Sequence, residues 1–367
     1  MSQTTLQVQK NDLATARLVK TDDEPLRSGQ VRMQIERFAL TANNITYAAL
    51  GQMMNYWSFF PTGDADWGII PAWGFGVVRE SLCESVPVGT RLYGFFPMAS
   101  SCVLSPVKTT PGKTNEKGFL EGAEHRAALS PIYNQYIASE NDPFYTPDSE
   151  DVQVLFRPLF TTAWLLSDFL TDNGVFGATT VLVSSASSKT AFATAFQLAA
   201  NDTIKVIGLT SGRSVYFCQQ LGCYAEVLPY EQLRTLKADT PCVYLDFSGD
   251  VRLRREIHEH FTGLRFSSAI GATHVGELGG GGDLLGPRPV MFFAPAQAKK
   301  RAAEWGAARF GERVAEAYHG FRRRLESPEL DMLRVERHRG TDAIVSAYLA
   351  MLGGRVPAAT GLVLTVE

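Results

Sequence analysis

Between Pro158 and Ala294 short, uninterrupted apolar runs alternate with helical segments, and this alternation constrains the fold more than any other feature of the chain. TTAWLLSDFL reads as a helix, TTVLV as a strand, AFATAFQLAA as a helix, IKVIGL as a strand and SVYFCQQLG as a helix, with further strands at CVYLDFS, near GLRFSSAIGA and at RPVMFFAP. A strand that is apolar at every position is buried on both faces, and such strands joined by helices build a parallel sheet. Five or six parallel strands are expected, giving an α/β fold. From Leu26 to about Val152 the texture differs: glycine, proline and aromatic residues punctuate β-prone runs such as VRMQIERFAL, GFGVVRES and RLYGFFP, which predicts an irregular all-β domain. The 367 residues exceed what one average core organises, in keeping with two domains.

The balance of 35 Lys and Arg against 38 Asp and Glu gives 35 − 38 = −3, which argues against a partner held by phosphate backbones or anionic membrane surfaces. Apolar runs such as Val206 to Leu209 fall far short of the roughly 20 residues that cross a bilayer. The amino end shows no basic start followed by an apolar block, so a cytoplasmic protein is expected. Five cysteines without a C-x-x-C pair predict reduced thiols and no zinc lobe. His258 and His260, two apart on a helix, read as solvent-exposed residues rather than metal ligands. A long, charge-rich helical stretch is expected from Gln297 to Leu325, with Arg322, Arg323 and Arg324 on a solvated face. The tail reads as a helix, a glycine turn and a closing strand.

The segment Thr180 to Ala200 carries the strongest chemical signal: a buried strand, a run of small hydroxyl residues, then a helix. Unpaired amides at a helix start favour an anion. Dinucleotide sites normally use glycines there so that the main chain approaches the pyrophosphate. Here Ser184, Ser185, Ser187, Ser188 and Thr190 offer hydroxyls and Lys189 a positive charge; the alternative is that Ser187 or Ser188 merely caps the helix. A nucleotide-triphosphatase loop would need glycine where Val183 and Ser188 stand, although Asp246 ends an apolar strand as a metal-binding acid would. The second strand ends in Thr210-Ser211-Gly212-Arg213 without an acid. Ser211 and Arg213 therefore suit a 2′-phosphate, which points to NADP, unless Arg213 simply starts a helix in solvent.

Several segments, in this order, resemble the medium-chain dehydrogenase/reductase superfamily, in particular its zinc-free quinone-oxidoreductase and enoyl-reductase branches. LRSGQVRMQIERFALTANNITYAALG resembles the opening strands and the asparagine-bearing active-site segment. PAWGFGVVRESLCESVPVGTRLYGF is similar to the stretch ending in the "VGDRV-G" turn, with Thr90 in place of the acid. PLFTTAW, TTVLVSSASSKTAFATAFQLA, QQLGCYAEVLPY and LGGRVPAATGLVLTV resemble the later landmarks, and the whole is most like a bacterial branch carrying the SSASSKTA turn and an LSPIYNQY segment.

The resemblance implies a GroES-like irregular β-barrel domain for substrate and catalysis over 1–155, a Rossmann NADP-binding domain over 156–296 and a returning segment of helices and a strand over 297–367. It implies no metal. Tyr47 would assist the developing oxyanion and Asn44 orient substrate or nicotinamide. Tyr56, Trp57, Phe59, Tyr133, Asn134 and Tyr136 would line the pocket. Thr162, Ser185, Ser187, Ser188, Lys189, Thr190, Ser211, Arg213, Ser248, Gly249, Gly271, Ala272 and Ala294 would contact NADP(H). The implied activity is NADPH-dependent hydride transfer to a polarised C=C or C=O bond of an enone, quinone or enoyl thioester. The departures from the glycine turn leave open an inactive reductase-like protein that binds NADP(H) or a partner. Pairing through the edge at RPVMFFAP would make a homodimer, and Gly279 to Gly282 would sit in a loop or lid.

Overall fold

A computed structural model describes residues 2–107, 118–140, 142–270, 284–327, 330 and 332–366. The chain divides into two compact units, residues 1–157 with 334–367, and residues 158–333. No described helix is long and apolar enough to cross a membrane.

The first unit is built on the strand Val31–Leu40. It pairs antiparallel with Pro71–Ser81, with Ser101–Leu104 and with the closing strand Thr360–Thr365. Pro71–Ser81 in turn pairs with Arg91–Pro97, and that strand with Gln135–Ala138. The glycines of GFGVV have a mechanical cause: a Cβ at Gly74 would lie 2.5 Å from the Arg37 carbonyl oxygen, and one at Gly76 2.7 Å from that of Gln34. Only glycine lets these strands approach so closely. Phe38, Val31, Met33, Phe95, Phe96 and Leu364 are fully buried in the core between them, each large side chain contributing about 1.5–3 kcal/mol.

Besides the amino-terminal strands Ser2–Gln9 and Asp12–Asp22, an edge strand of this unit was not read from the sequence. Arg334–Arg339 runs parallel to Thr360–Thr365, joined to it by the helix Thr341–Leu352. Its sequence, RVERHR, is charged because it lies exposed at the sheet edge, where charge protects unpaired backbone from association.

In the second unit six parallel strands, Thr180–Val183, Lys205–Thr210, Glu226–Pro229, Cys242–Asp246, Leu264–Ala269 and Val290–Met291, lie side by side. Counted along the chain, their spatial order is 3-2-1-4-5-6, the doubly wound order that places ligands at the carboxyl ends of the strands. Leu182 sits opposite Ile207 and Tyr244, and these pack with Leu253 and Ile257 into the core.

Several expectations need correction. The helix foreseen at TTAWLLSDFL starts earlier and spans Glu150–Asp172. Pro158 lies inside it, where it removes one amide donor, and the Thr162 hydroxyl donates to the Pro158 carbonyl at 3.1 Å. The helical stretch foreseen from Gln297 to Leu325 is two helices, Ala294–Trp305 and Ala307–Leu325, broken at Gly306 with φ +81°, a left-handed conformation that glycine adopts freely. RPVMFFAP contributes only Val290–Met291 to the sheet, because the helix follows at once with Pro295 in its first turn. His258 is buried rather than exposed: its Nδ1–H donates to the Leu285 carbonyl at 2.8 Å and Nε2 accepts from the Ser267 hydroxyl at 3.0 Å, while burial holds its pKa below the usual histidine value. His260 is half-buried against the Leu236 carbonyl. Gly271, Ala272 and Gly279 to Gly282 lie outside the described residues.

Candidate functional site

At the carboxyl end of Thr180–Val183 the chain enters the serine turn. Ser184 is fully buried, its hydroxyl donating to Asp246 Oδ1 at 3.2 Å and accepting from the Phe247 and Ser248 amides. Ser185 has φ +47°, the left-handed region that glycine would occupy at little cost. Two tyrosines hold this shape: the Ser185 amide donates to the Tyr230 hydroxyl at 3.1 Å, and the Tyr224 hydroxyl donates to the Ala186 carbonyl at 2.8 Å. Close packing is kept from the neighbouring strand instead, since a Cβ at Gly208 would stand 3.0 Å from that of Ala186. The turn thus takes its form from tyrosine hydroxyls rather than from glycine.

Beyond it, Ser187, Ser188, Lys189 and Thr190 are all half-buried at the start of the helix Lys189–Leu198. Ser188 occupies the cap position without a side-chain cap bond. Desolvation lowers the Lys189 ammonium to about 8. Hydroxyls and an ammonium gathered at a helix start make a donor set that suits a diphosphate. After the second strand, Ser211 donates to the Ser214 hydroxyl at 3.4 Å, and Arg213 is exposed. Ser248 and Gly249 are bound inward: the Ser248 amide and hydroxyl and the Gly249 amide all donate to Asp246 Oδ1. Thr162 lies on the long helix with its hydroxyl on Pro158, and Ala294 opens the helix after the sixth strand.

A second constellation forms within the first unit. The helix Ala42–Ala49 carries Asn43 and Tyr47 one turn apart, and Asn43 Nδ2 donates to the Tyr47 hydroxyl at 2.7 Å. Tyr47 and Tyr56 rings lie 4.4 Å apart, Tyr47 and Tyr133 6.3 Å, and the Tyr56 and Tyr133 hydroxyls are hydrogen-bonded at 3.1 Å. Phe59, Phe95 and Trp73 complete the group, with Trp73 5.9 Å from Tyr133 and 5.1 Å from Phe95. Burial raises the pKa of Tyr47, Tyr56 and Tyr133 above the ordinary tyrosine value, Tyr47 and Tyr133 strongly. All three phenols stay protonated, able to donate to an oxygen that gains negative charge.

Other sequence candidates stand apart from this group. Asn44 is committed to its helix start: Oδ1 accepts from the Thr41 amide at 2.8 Å, and Nδ2 donates to the Pro71 carbonyl at 3.1 Å. Trp57 packs over Gly51 and Gly68, where a Cβ would come within 2.4 Å of its ring. Asn134 donates to the Arg126 carbonyl, and the Tyr136 hydroxyl donates to the Phe95 carbonyl at 2.5 Å. Asn43, Trp73, Phe95, Tyr224 and Tyr230 were not singled out as site residues. The one signal available for Asn43 was its helical i, i+4 spacing to Tyr47; a tryptophan in a glycine-rich strand reads as core.

Among the described residues no group of three or more His, Cys, Asp or Glu side chains could hold a metal ion. The family described as "Protein of unknown function (DUF2855)" matches residues 38–357. No curated protein matches the sequence. Among solved structures, CurA from Vibrio vulnificus is similar over 100% of this chain and 99% of its own, with TM-score 0.62 and 13% identity. CurA in complex with NADPH is similar over 95% and 94%, with TM-score 0.58 and 14% identity. The CurK enoyl reductase matches over 100% and 99% (TM-score 0.60, 13% identity), and the quinone oxidoreductase from Coxiella burnetii over 100% of both chains (0.54, 15%). The fold is therefore that of the medium-chain dehydrogenase/reductase superfamily, with GroES-like and Rossmann parts.

Proposed function

Since the chain belongs to the DUF2855 family and carries the medium-chain reductase fold, we propose that it is a zinc-independent, NADPH-dependent reductase acting on a polarised C=C or C=O bond of an enone, quinone or enoyl thioester. The observation that carries this reading is the buried cluster of neutral phenols around Tyr47. The first unit would hold the substrate and the second the dinucleotide; CurA, which shares the fold, has been solved in complex with NADPH. Ser187, Ser188, Lys189 and Thr190 would hold the diphosphate, Tyr230 would keep the turn in shape, and Ser211 with Arg213 would hold the 2′-phosphate. A bound dinucleotide would supply a hydride to the substrate carbon. Tyr47 donates a hydrogen bond to the substrate oxygen, which takes up the displaced electron pair and then a proton from the phenol or from water. The surrounding aromatic rings exclude bulk water and hold the carbonyl in place.

Fluorescence titration with NADPH and NADH tests the reading. Wild-type protein binds NADPH more tightly, and Arg213→Ala weakens NADPH by about 10- to 100-fold while leaving NADH unchanged, because only the 2′-phosphate contact is lost. In the same titration NADPH affinity falls as pH rises through about 8, since Lys189 loses its charge there rather than near 10.5; Lys189→Met binds weakly at every pH and shows no such fall. Equal loss of both dinucleotides on Arg213→Ala refutes the 2′-phosphate assignment.

The inward-bound Ser248–Gly249 segment and the left-handed Ser185 favour a second reading, a reductase-like protein that binds NADP(H) without turnover. NADPH binding with no consumption across enones, quinones and aldehydes would select it. Exposed Val290, Met291 and Phe293 at the edge of the parallel sheet would pair with a second copy, giving twice the 40.3 kDa of one chain by light scattering.

A further inference from the structure

We infer that Asn43 is a positioning residue for the reduction: by donating to the Tyr47 hydroxyl it leaves that phenol's own hydrogen free for the substrate oxygen. This deepens the reductase reading and rests on it.

Tyr136 and Tyr348, fully buried in the same unit, spend their hydrogens on the main chain, Tyr136 on the Phe95 carbonyl at 2.5 Å and Tyr348 on the Leu13 carbonyl at 2.8 Å. Tyr47 has the opposite arrangement. It is 4% exposed, its oxygen accepts from Asn43 Nδ2 at 2.7 Å, and among the described residues no carbonyl or carboxylate takes its hydrogen. A buried donor held this way is presented to something other than the main chain.

The arrangement follows from the helix Ala42–Ala49. Asn44 locks its start, accepting from the Thr41 amide and donating to the Pro71 carbonyl, which leaves Asn43 to reach along the helix face. Side chains lean toward a helix's amino end, so Tyr47 comes back over the residue one turn earlier. Its ring packs on Tyr56 at 4.4 Å and meets Phe95 edge-on at 5.5 Å. With the ring fixed, only the hydroxyl hydrogen can still turn, and it lies in the ring plane on one side of the oxygen or the other. An N–H aimed at one side sends it to the opposite side. The amide keeps its hydrogens at every pH a cell meets, and its bond strengthens if the phenol oxygen gains charge while passing its hydrogen on. Of the other titratable or charged neighbours, Tyr56 and Tyr133 bond each other, and His125 and Arg126 meet the cluster at the Phe59 carbonyl, at 3.3 and 3.1 Å.

Cyclohex-2-enone, 9,10-phenanthrenequinone and crotonyl-CoA serve as probes of the three substrate classes, with kcat/KM followed on the one reduced fastest and NADPH affinity measured alongside. Asn43→Asp puts an acceptor where the donor stood and captures the Tyr47 hydrogen. At pH 8 it is expected to lower kcat/KM by about 100-fold, the cost of losing one aimed donor. Toward pH 5.5 the new carboxyl gains a proton and can donate, so about fivefold is recovered relative to wild type at the same pH, a ratio in which titration of His125 cancels. Asn43→Leu, neither donor nor acceptor, is expected to lose about 3- to 10-fold without that slope. In the Tyr47→Phe background the two substitutions become equivalent, because Asn43 acts through Tyr47. A readout free of cofactor and turnover is the ring Cζ resonance of Tyr47 in protein labelled with 13C-tyrosine, identified by its loss in Tyr47→Phe. It is expected to move downfield with rising pH in Asn43→Asp and to stay in place in Asn43→Leu.

Asn43→Asp as active as wild type at pH 8, a loss that ignores pH, or a Cζ resonance that ignores pH overturns the inference. If Asn43→Asp no longer binds NADPH, Asn43→Leu decides: a loss that vanishes without the Tyr47 hydroxyl supports the role, and one that persists in the Tyr47→Phe background overturns it. A wild-type protein that reduces none of the three probes overturns the reductase reading instead, and this role with it.

Discussion

Tyr47→Phe is expected to lower kcat/KM for NADPH-dependent reduction by about 100- to 1,000-fold, the usual cost of removing one donor aimed at a developing oxyanion. The hydroxyl is 4% exposed as part of its residue, accepts a hydrogen bond from Asn43, and is kept protonated by burial. The ring's contacts with Tyr56 and Phe95 survive the substitution, so NADPH binding and the folded state are expected to stay intact. Steady-state kinetics on a substrate that the wild-type protein reduces, with NADPH affinity measured alongside, checks this. A loss smaller than threefold would remove Tyr47 from the chemistry.

The largest expected effect on stability falls in the other unit. Asp246 is 1% exposed, and its carboxylate accepts from Arg254 Nε and Nη2, both at 2.8 Å, as well as from Ser184, Ser248 and Gly249. Asp246→Ala leaves the buried Arg254 guanidinium without its countercharge and unties the Ser248–Gly249 segment. A destabilisation of about 3–5 kcal/mol is expected, the cost of stranding one member of a buried ion pair. Urea unfolding measures it. The double variant Asp246→Ala/Arg254→Met, which removes both charges, should recover part of the loss. If Asp246→Ala costs less than about 1 kcal/mol, the pair is not what holds this edge of the sheet.

These two residues mark how far the sequence can be read. Asp246 was visible as an acid ending an apolar strand, yet its partner Arg254, one of several arginines in VRLRREIHEH, gave no sign of being the buried one. Helical spacing puts Arg254 and His258 on one inward face, but a charged residue on a helix is ordinarily solvated, so composition pointed the wrong way. The parallel sheet was legible because its central strands are apolar at every position. Arg334–Arg339 was not, since an exposed edge strand needs no apolar pattern. In the candidate sites, Tyr47, Tyr56, Phe59 and Tyr133 were visible through their place in recognisable segments. Their meeting depended on a turn, a short helix and two strands distant in sequence. The sequence pointed to Asn44, and only the hydrogen bonds show that it caps the helix start while its neighbour Asn43 reaches Tyr47.

The high pKa values of the clustered tyrosines bear on how the protein responds to its surroundings. Donors that hold their hydrogens throughout the range in which cells live would make the proposed reactive centre indifferent to acidity. On the proposed reading, the acid–base sensitivity expected of cofactor binding enters through Lys189 and would appear as a change in how much cofactor is needed rather than in how fast a loaded molecule works.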